Sequence, residues 1–336
     1  MRIILDAMGG DNAPGEILAG AVQAAKEYNV DITAVGDSQK MNAAAKEMGL
    51  DLSCIQLVHA SEVIEMEDEP ARAIRRKKDS SMVVGLRMLA NGEGDAFVSA
   101  GSTGALHVGA SLIVRTIKGV KRPALAAVLP GAKPFMLLDC GANVECRPAM
   151  LEAFGVMGSV YMQQGMGIEN PRVALVNNGS EETKGTPLYQ QAHQLLKANP
   201  SINFVGNIEP REIPNGGADV VVADGFTGNA ILKLTEGLGK FFSAKIKGLF
   251  TKNLLTKISY LLVKGGVADF KKSMDADEYG GAPFLGAAKP VFKAHGSSNA
   301  RAIKNAIRQA MQCVEHDLCG VMEKNLAAVS VQEGDE

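Results

Sequence analysis

The chain has 336 residues, 46% of them hydrophobic, with 35 basic and 37 acidic side chains for a formal net charge of -2. That length carries one large α/β domain or two modest ones, and that apolar share excludes wholesale disorder. A net charge this close to zero exerts no global pull on nucleic acid, which is therefore not expected as a partner, and any anion must be held by a local patch.

In chain order, short apolar runs read as strands over 2–6, 32–35, 55–58, 95–99, 135–139, 172–176, 202–205 and 219–223. Helix-like stretches lie between most of them, over 16–27, 80–91, 103–117, 148–164 and 186–197. Such alternation predicts an α/β fold: a three-layer αβα sandwich with a mainly parallel sheet covered on both faces. No repeat or linker interrupts it, so the chain reads as one domain over 1–336, open to a bilobed form, with a frayed acidic tail from Ser330. The start, MRIILDAMGG, has no leader-like pattern, and no apolar run nears the ~20 residues that span a bilayer. Five cysteines, at 54, 140, 146, 313 and 319, are odd in number and lack CxxC spacing. They read as reduced cytoplasmic thiols rather than a disulfide frame or a zinc site, and no metal is expected.

The ends of the strands carry the chemistry. Asp6, Ser99, Asp139, Val176 and Ala223 each run into a small, polar, glycine-bearing loop. Ligands of open α/β sheets bind outside the carboxyl ends of strands, so five such loops predict one composite site; tight turns alone would also explain each glycine. In SAGSTGALHVGA (99–110), Gly101 and Gly104 allow close backbone approach, and Ser102 and Thr103 offer hydroxyls. This turn suits a phosphate, or else Ser102 or Thr103 is simply an N-cap. Neither GxGxxG nor GxxxxGK[ST] occurs, which weighs against dinucleotides and P-loop nucleotides and leaves no cofactor expected. In NNGSEETKGT (177–186), Lys184 can neutralise a phosphate or a developing oxyanion as a point charge, or stay solvated. In DGFTGN (224–229), Asn229 can donate an amide hydrogen bond to an oxyanion, or it and Thr227 can cap a helix. Cys140 could take an acyl group or merely pack, and His107 reads as a satisfied helix histidine. His295, before a long C-terminal helix, either meets ligand or caps.

Two charged stretches stand apart. Arg72, Arg75, Arg76, Lys77 and Lys78 follow Pro70, which is placed to start a helix. They make either a solvated helix face or a dock for an acidic partner. From Gly237 to Ala268 there is no acidic residue, and six lysines flank an apolar series that includes Leu254, Leu255, Ile258, Leu261 and Leu262. A basic amphipathic helix over 237–268 can lie in an anionic membrane surface, or pack in a dimer.

Taken together, LDAMGGD, DEPARAIRRKKDSSM, SAGSTGAL, LLDCGAN, GSVY, NNGSEETKG, INFVGNIEPRE, ADVVVADGFTGN, YGGAPFLG and KAHGSS follow the order and spacing of the PlsX-type phosphate acyltransferases, from residue 4 to about 320. The resemblance implies an isopropylmalate-dehydrogenase-like, phosphotransacetylase-like fold and a homodimer. It also implies transfer of a fatty acyl group from acyl carrier protein to inorganic phosphate, giving acyl phosphate for phospholipid synthesis. The product would pass to a membrane glycerol-3-phosphate acyltransferase, with the enzyme peripheral to the inner face of the membrane. Catalytic roles carried over from the family fall on Lys184 and Asn229. The family commonly has Asn where this chain has Ser102, and an aliphatic residue where it has Cys140, which argues against a required cysteine nucleophile. Phosphate is already anionic near neutral pH and can attack a thioester directly, so the protein's task is positioning and charge shielding. The alternatives are a phosphotransacetylase using a short acyl-CoA and a non-catalytic membrane-associated phosphate- or lipid-binding scaffold. A nicotinamide-dependent dehydrogenase of the same fold is disfavoured because no acidic metal cluster is evident.

Overall fold

Strand residues here face two different cores, and the alternation fixes the layering. The computed structural model describes residues 1–273 and 280–332. In β1 (Arg2–Asp6), Ile3 and Leu5 join one buried cluster and Ile4 the other. The same split recurs in β4 (Ala96–Ser99), where Val98 faces one side and Phe97 the other, and in β9 (Val220–Val222), where Val221 opposes its two neighbours. A sheet apolar on both faces must be covered on both.

The first cover holds α1 (Gly15–Tyr28), α6 (Pro148–Gln164), α7 (Pro187–Ala198), α10 (Ala300–Glu315) and α11 (Leu318–Gln332). The second holds α3 (Pro70–Arg76), α4 (Ser81–Asn91) and α5 (Thr103–Gly109). Helix α2 (Ser38–Met48) connects β2 (Asp31–Gly36) to β3 (Gln56–His59). Helix starts are chemically marked. The Glu69 carboxylate accepts from the N–H groups of Ala71 and Arg72 ahead of Pro70, and the Ser80 hydroxyl accepts from Val83.

The remaining strands are β5 (Ala124–Leu129), β6 (Phe135–Leu138), β7 (Arg172–Val176), β8 (Asn203–Ile208), β10 (Ala282–Leu285) and β11 (Val291–Lys293). The sheet order is β3-β2-β1-β4-β11-β10-β5-β6-β9-β7-β8. Pairing is parallel from β3 to β11 and again from β6 to β8, and antiparallel at β11–β10, β10–β5 and β5–β6. Three reversals in a row make the two parallel blocks run in opposite senses. The sheet is thus mainly parallel, as expected, with its antiparallel strands at the centre.

The eight expected strands are all present: those over 2–6 and 172–176 keep their bounds, and the other six have ends moved by one to three residues. The three central strands β5, β10 and β11 were not among them. The expected helix over 103–117 is shorter: α5 passes into one wider π-helical turn over Ala110–Val114 and stops at Arg115. The helix expected over 237–268 begins earlier and is two helices, α8 (Gly225–Thr251) and α9 (Leu254–Ser273). They break where the Asn253 side chain accepts from the Thr256 N–H at 2.9 Å, a cap that starts a new helix. Of the acidic tail expected from Ser330, residues 333–336 lie outside the described residues, as does Tyr279 of YGGAPFLG.

Candidate active site

One wall of the site is built by the loops after β1 and β4. Ser99 Oγ donates to the buried Asp6 Oδ2 at 2.7 Å and accepts from the Gly101 N–H at 3.0 Å. Burial pushes the Asp6 carboxyl above its usual range. The two loops touch so closely that a Cβ on Gly9 would sit 2.6 Å from Gly101 N, which requires glycine there. Ser102 Oγ accepts from the Ala105 N–H at 3.4 Å and is the N-cap of α5. Gly104 lets α3 approach: a Cβ there would lie 2.8 Å from Pro70 Cγ.

The opposite wall is the loop after β6, organised by Asp139. Its fully buried carboxylate accepts from the N–H groups of Leu125, Gly141, Ala142 and Asn143 and from the Asn143 side-chain amide, at 2.7–3.1 Å. The start of α8 is pressed onto this loop. Its cap is Asp224, which accepts from Thr227 N–H at 2.8 Å, and a Cβ on Gly228 would fall 1.8 Å from Asp139 O. That packing places Asn229 against Gly141.

Between the walls lies a cleft of about 380 Å³ that bridges the carboxyl ends of the two parallel blocks. Thr103, Gly141, Asn229, Lys293, His295 and the Lys233–Glu236 pair supply its polar groups, and Leu125, Val128, Leu129 and Leu232 its apolar floor. Lys293, at the end of β11, is only 8% exposed. Its Nζ donates to Ala100 O at 3.1 Å and to Ala294 O. Burial pushes its ammonium down to about 8, against the attraction of Asp6 and Asp11. The sequence reading did not single out this residue; a lysine closing the apolar run Val-Phe-Lys was the available signal.

The sequence-expected residues divide. Of Gly101, Ser102, Thr103 and Gly104, Thr103 lines the cleft, while the others build the turn behind it. Asn229 lines the same cleft. Lys184 does not; it is exposed in the loop after β7, whose Asn177 side chain donates to Lys184 O at 3.1 Å. That loop borders a second cleft shared by Asn178, Gly185, Tyr189 and Thr227, on the other side of the first turn of α8. Four of the five glycine-bearing loops therefore converge, and the Val176 loop lines the other cleft. Cys140 lines the cleft, but its thiol is buried, donates to Leu137 O at 3.0 Å, and is pushed well above its usual range by burial and by Asp139. His107 is outside the cleft, with Nε2 against Pro123 O at 3.1 Å and its basicity lowered by burial.

Of the basic run, Arg72, Arg75, Arg76 and Lys78 are exposed on or just after α3, next to the Gly104 turn. Lys77 is drawn inward, its Nζ pairing with Asp68 Oδ2 at 2.5 Å and donating to Val63 O at 2.8 Å. On α9, Leu254, Leu255, Ile258, Leu261 and Leu262 are all exposed, from 51% to 85%. Among the described residues no helix is long and apolar enough to cross a membrane.

This fold is shared with phosphotransacetylases. A phosphotransacetylase from Streptococcus pyogenes superposes with a TM-score of 0.65 at 18% identity, covering 94% of each chain. The EutD phosphotransacetylase from Staphylococcus aureus does so with 0.62 at 18% identity, again covering 94% of each. The chain belongs to the phosphate acyltransferase family and is an acyltransferase by class. A family model described as "Fatty acid synthesis protein" matches residues 1–321. The phosphate acyltransferase of Alkaliphilus oremlandii is 48% identical over 334 residues, 99% of both chains. That of Thermoanaerobacterium thermosaccharolyticum is 47% identical over 332 residues, 98% of both.

Proposed function

We propose that this enzyme moves a long fatty acyl group from the thioester of acyl carrier protein to inorganic phosphate. A phosphate oxygen attacks the thioester carbonyl carbon, the tetrahedral oxyanion collapses, the C–S bond breaks, and the departing thiolate takes up a proton. Acyl phosphate and free carrier result. The observation that carries this reading is the cleft itself: an apolar floor with Thr103, Asn229 and a buried lysine at its rim, in a member of this family. The floor suits an acyl chain, each buried methylene contributing about 0.8 kcal/mol. Asn229 is assigned to the oxyanion. Lys184 is assigned to the incoming phosphate after its loop closes across the first turn of α8; among the described residues its ammonium has no partner to release. Loss of one such donor typically costs ~2.7–4 kcal/mol in barrier.

Incubation with palmitoyl-ACP and phosphate, with hydroxylamine trapping of acyl phosphate, tests this directly. Hydroxamate should form with palmitoyl-ACP and fall at least 100-fold in Lys184→Ala and Asn229→Ala. Acetyl-CoA outperforming palmitoyl-ACP would replace the reading with a short-chain phosphotransacetylase, and binding without hydroxamate would replace it with a scaffold.

The exposed cations beside the Gly104 turn are assigned to docking the acidic carrier. Arg72→Glu with Arg75→Glu should raise KM for palmitoyl-ACP several-fold, and an unmoved KM would place the dock elsewhere. The apolar residues of α8 and α9 are assigned to a homodimer contact and an anionic membrane surface. There the acyl phosphate would meet a membrane glycerol-3-phosphate acyltransferase. Leu261→Asp with Leu262→Asp should abolish co-sedimentation with phosphatidylglycerol vesicles; unchanged sedimentation, or a monomer on sizing, would remove the corresponding assignment.

A further inference from the structure

Lys293 is the least expected group in the cleft. A lysine is seldom buried without a carboxylate, because removing its charge from water costs more than neutral hydrogen bonds return. Here the ammonium has main-chain oxygens instead: Ala100 O, at the entrance to the Gly101 turn, and Ala294 O. Among the described residues no carboxylate pairs with it; Asp6 and Asp11 act on it only at longer range. An ammonium carries three N–H donors, so two are committed and one is left. Ser99, paired with Lys293 across the β4–β11 register, holds the turn in place, so Lys293 and Thr103 are presented by adjoining strand ends. A fixed, under-neutralised cation facing a cleft is completed by an anion arriving in that cleft.

We propose that Lys293 binds the phosphate substrate, using its third N–H beside the Thr103 hydroxyl. This deepens the acyl-transfer reading and rests on it. The apolar floor takes the acyl chain, so the anionic reactant occupies the polar rim where Thr103, Asn229 and Lys293 meet. Two held carbonyls also keep the ammonium from swinging into solvent, which a surface lysine would do. The charge on Lys293 is favoured by Asp6 and Asp11 and opposed by burial and by Lys233 on α8; Glu236 and His295 line the same cleft. With the ammonium held down to about 8, its proton is lost as the pH rises through that value. Phosphate affinity then falls on the alkaline side.

The test is steady-state hydroxamate formation with palmitoyl-ACP at varied phosphate, for wild type, Lys293→Met and Lys293→Arg, at pH 6.5 to 9.5. In Lys293→Met, KM for phosphate should rise by about tenfold or more, as expected for losing a charge-assisted hydrogen bond. KM for palmitoyl-ACP should stay within about twofold. Lys293→Arg, whose guanidinium stays charged, should recover part of the phosphate affinity and lose the alkaline rise in KM. Phosphate should also raise the melting temperature of wild type more than that of Lys293→Met, with no acyl donor present. A folded Lys293→Met with unchanged phosphate KM overturns the proposal, as does an equal phosphate-induced stabilisation in both proteins. If Lys293→Met does not fold, Lys293→Arg decides: an alkaline limb identical to wild type overturns it. Wild type that makes no hydroxamate at all defeats the parent reading instead, and the stabilisation measurement still decides whether Lys293 holds phosphate.

Discussion

Gly228→Ala separates two effects of opposite sign at one position. Gly228 lies in the first turn of α8, where alanine is favoured over glycine by about 1 kcal/mol on helix propensity alone. The structure reverses the sign. An added Cβ would lie 1.8 Å from Asp139 O, whereas contacts below 3.0 Å are essentially never seen. The helix or the loop must therefore move by roughly 1.2 Å, the difference between those two distances. Overpacking of this kind costs about 1–3 kcal/mol, which outweighs the propensity gain. The same displacement carries Asn229 away from the cleft, and a misplacement of about 1 Å can cost ~100-fold in rate. Gly237→Ala in the same helix has open space around it and should be neutral to slightly stabilising. Urea unfolding and hydroxamate formation on both variants are the assays. Gly228→Ala with wild-type midpoint and turnover would refute the claim that α8 seats Asn229 by touching the Asp139 loop.

Asp139→Asn should lower stability by at least about 2 kcal/mol and turnover with it, read by urea unfolding and the hydroxamate assay. One amide nitrogen must then face backbone N–H groups that donated to a carboxylate oxygen, and each unsatisfied buried donor costs ~1–3 kcal/mol. Burial raises the Cys146 thiol to about 12, and raises the Tyr161 hydroxyl and the Cys140 thiol as well; the Cys313 thiol is raised by its hydrogen bond with Cys319 and then by burial. The native state thus keeps protons that the unfolded chain loses above about pH 9, so stability should fall as pH rises from there. Cys146→Ala should flatten that fall between pH 9 and 12 in pH-dependent thermal melts. Cys140→Ser should keep turnover within about threefold, because its thiol is protonated and bonded to Leu137 O; abolished turnover in a folded variant would point to covalent catalysis.

The outer strands were legible because RIILD, RVALV and ADVVVA are apolar, β-branched runs of strand length between turn residues. The central three were not. β5 is ALAAVL, rich in a residue that prefers helix; β10, APFL, carries proline at its second position; and β11 is a three-residue VFK. These segments are strands because neighbours on both sides pair with them, and pairing overrides intrinsic preference. The site divided along the same line. The glycines at 101 and 104 were singled out in the sequence, Gly228 only as part of DGFTGN, and each proves to sit where two backbones or a helix and a loop touch. Lys293 was hidden because its meaning depends on β4, whose end brings Ala100 O to its ammonium across 193 positions of sequence. Lys184 shows the converse: its loop was legible, but its separation from the turn after β4 follows from the side of α8 on which β7 lies.

The composition of the cleft argues for the order of bond changes proposed above. An acyl-enzyme route needs a nucleophile that loses its proton easily and a base to take it. The cleft's thiol, on Cys140, is pushed the wrong way by burial and by the neighbouring Asp139 charge. Of the two histidines near it, His107 is turned to Pro123 O and disfavours a proton, and His295 is tied to the Ser297 hydroxyl at 2.9 Å. What the cleft does offer is donors: the Thr103 hydroxyl, the Asn229 amide and the Lys293 ammonium. The one carboxylate among the cleft's lining residues, Glu236, is paired with Lys233 at 2.9 Å. Such a set of donors serves a nucleophile that arrives already charged, and it serves an oxyanion equally well once it forms. Inorganic phosphate meets that condition at neutral pH. A site of this composition accelerates transfer by holding two reactants in line and shielding the charge that passes between them.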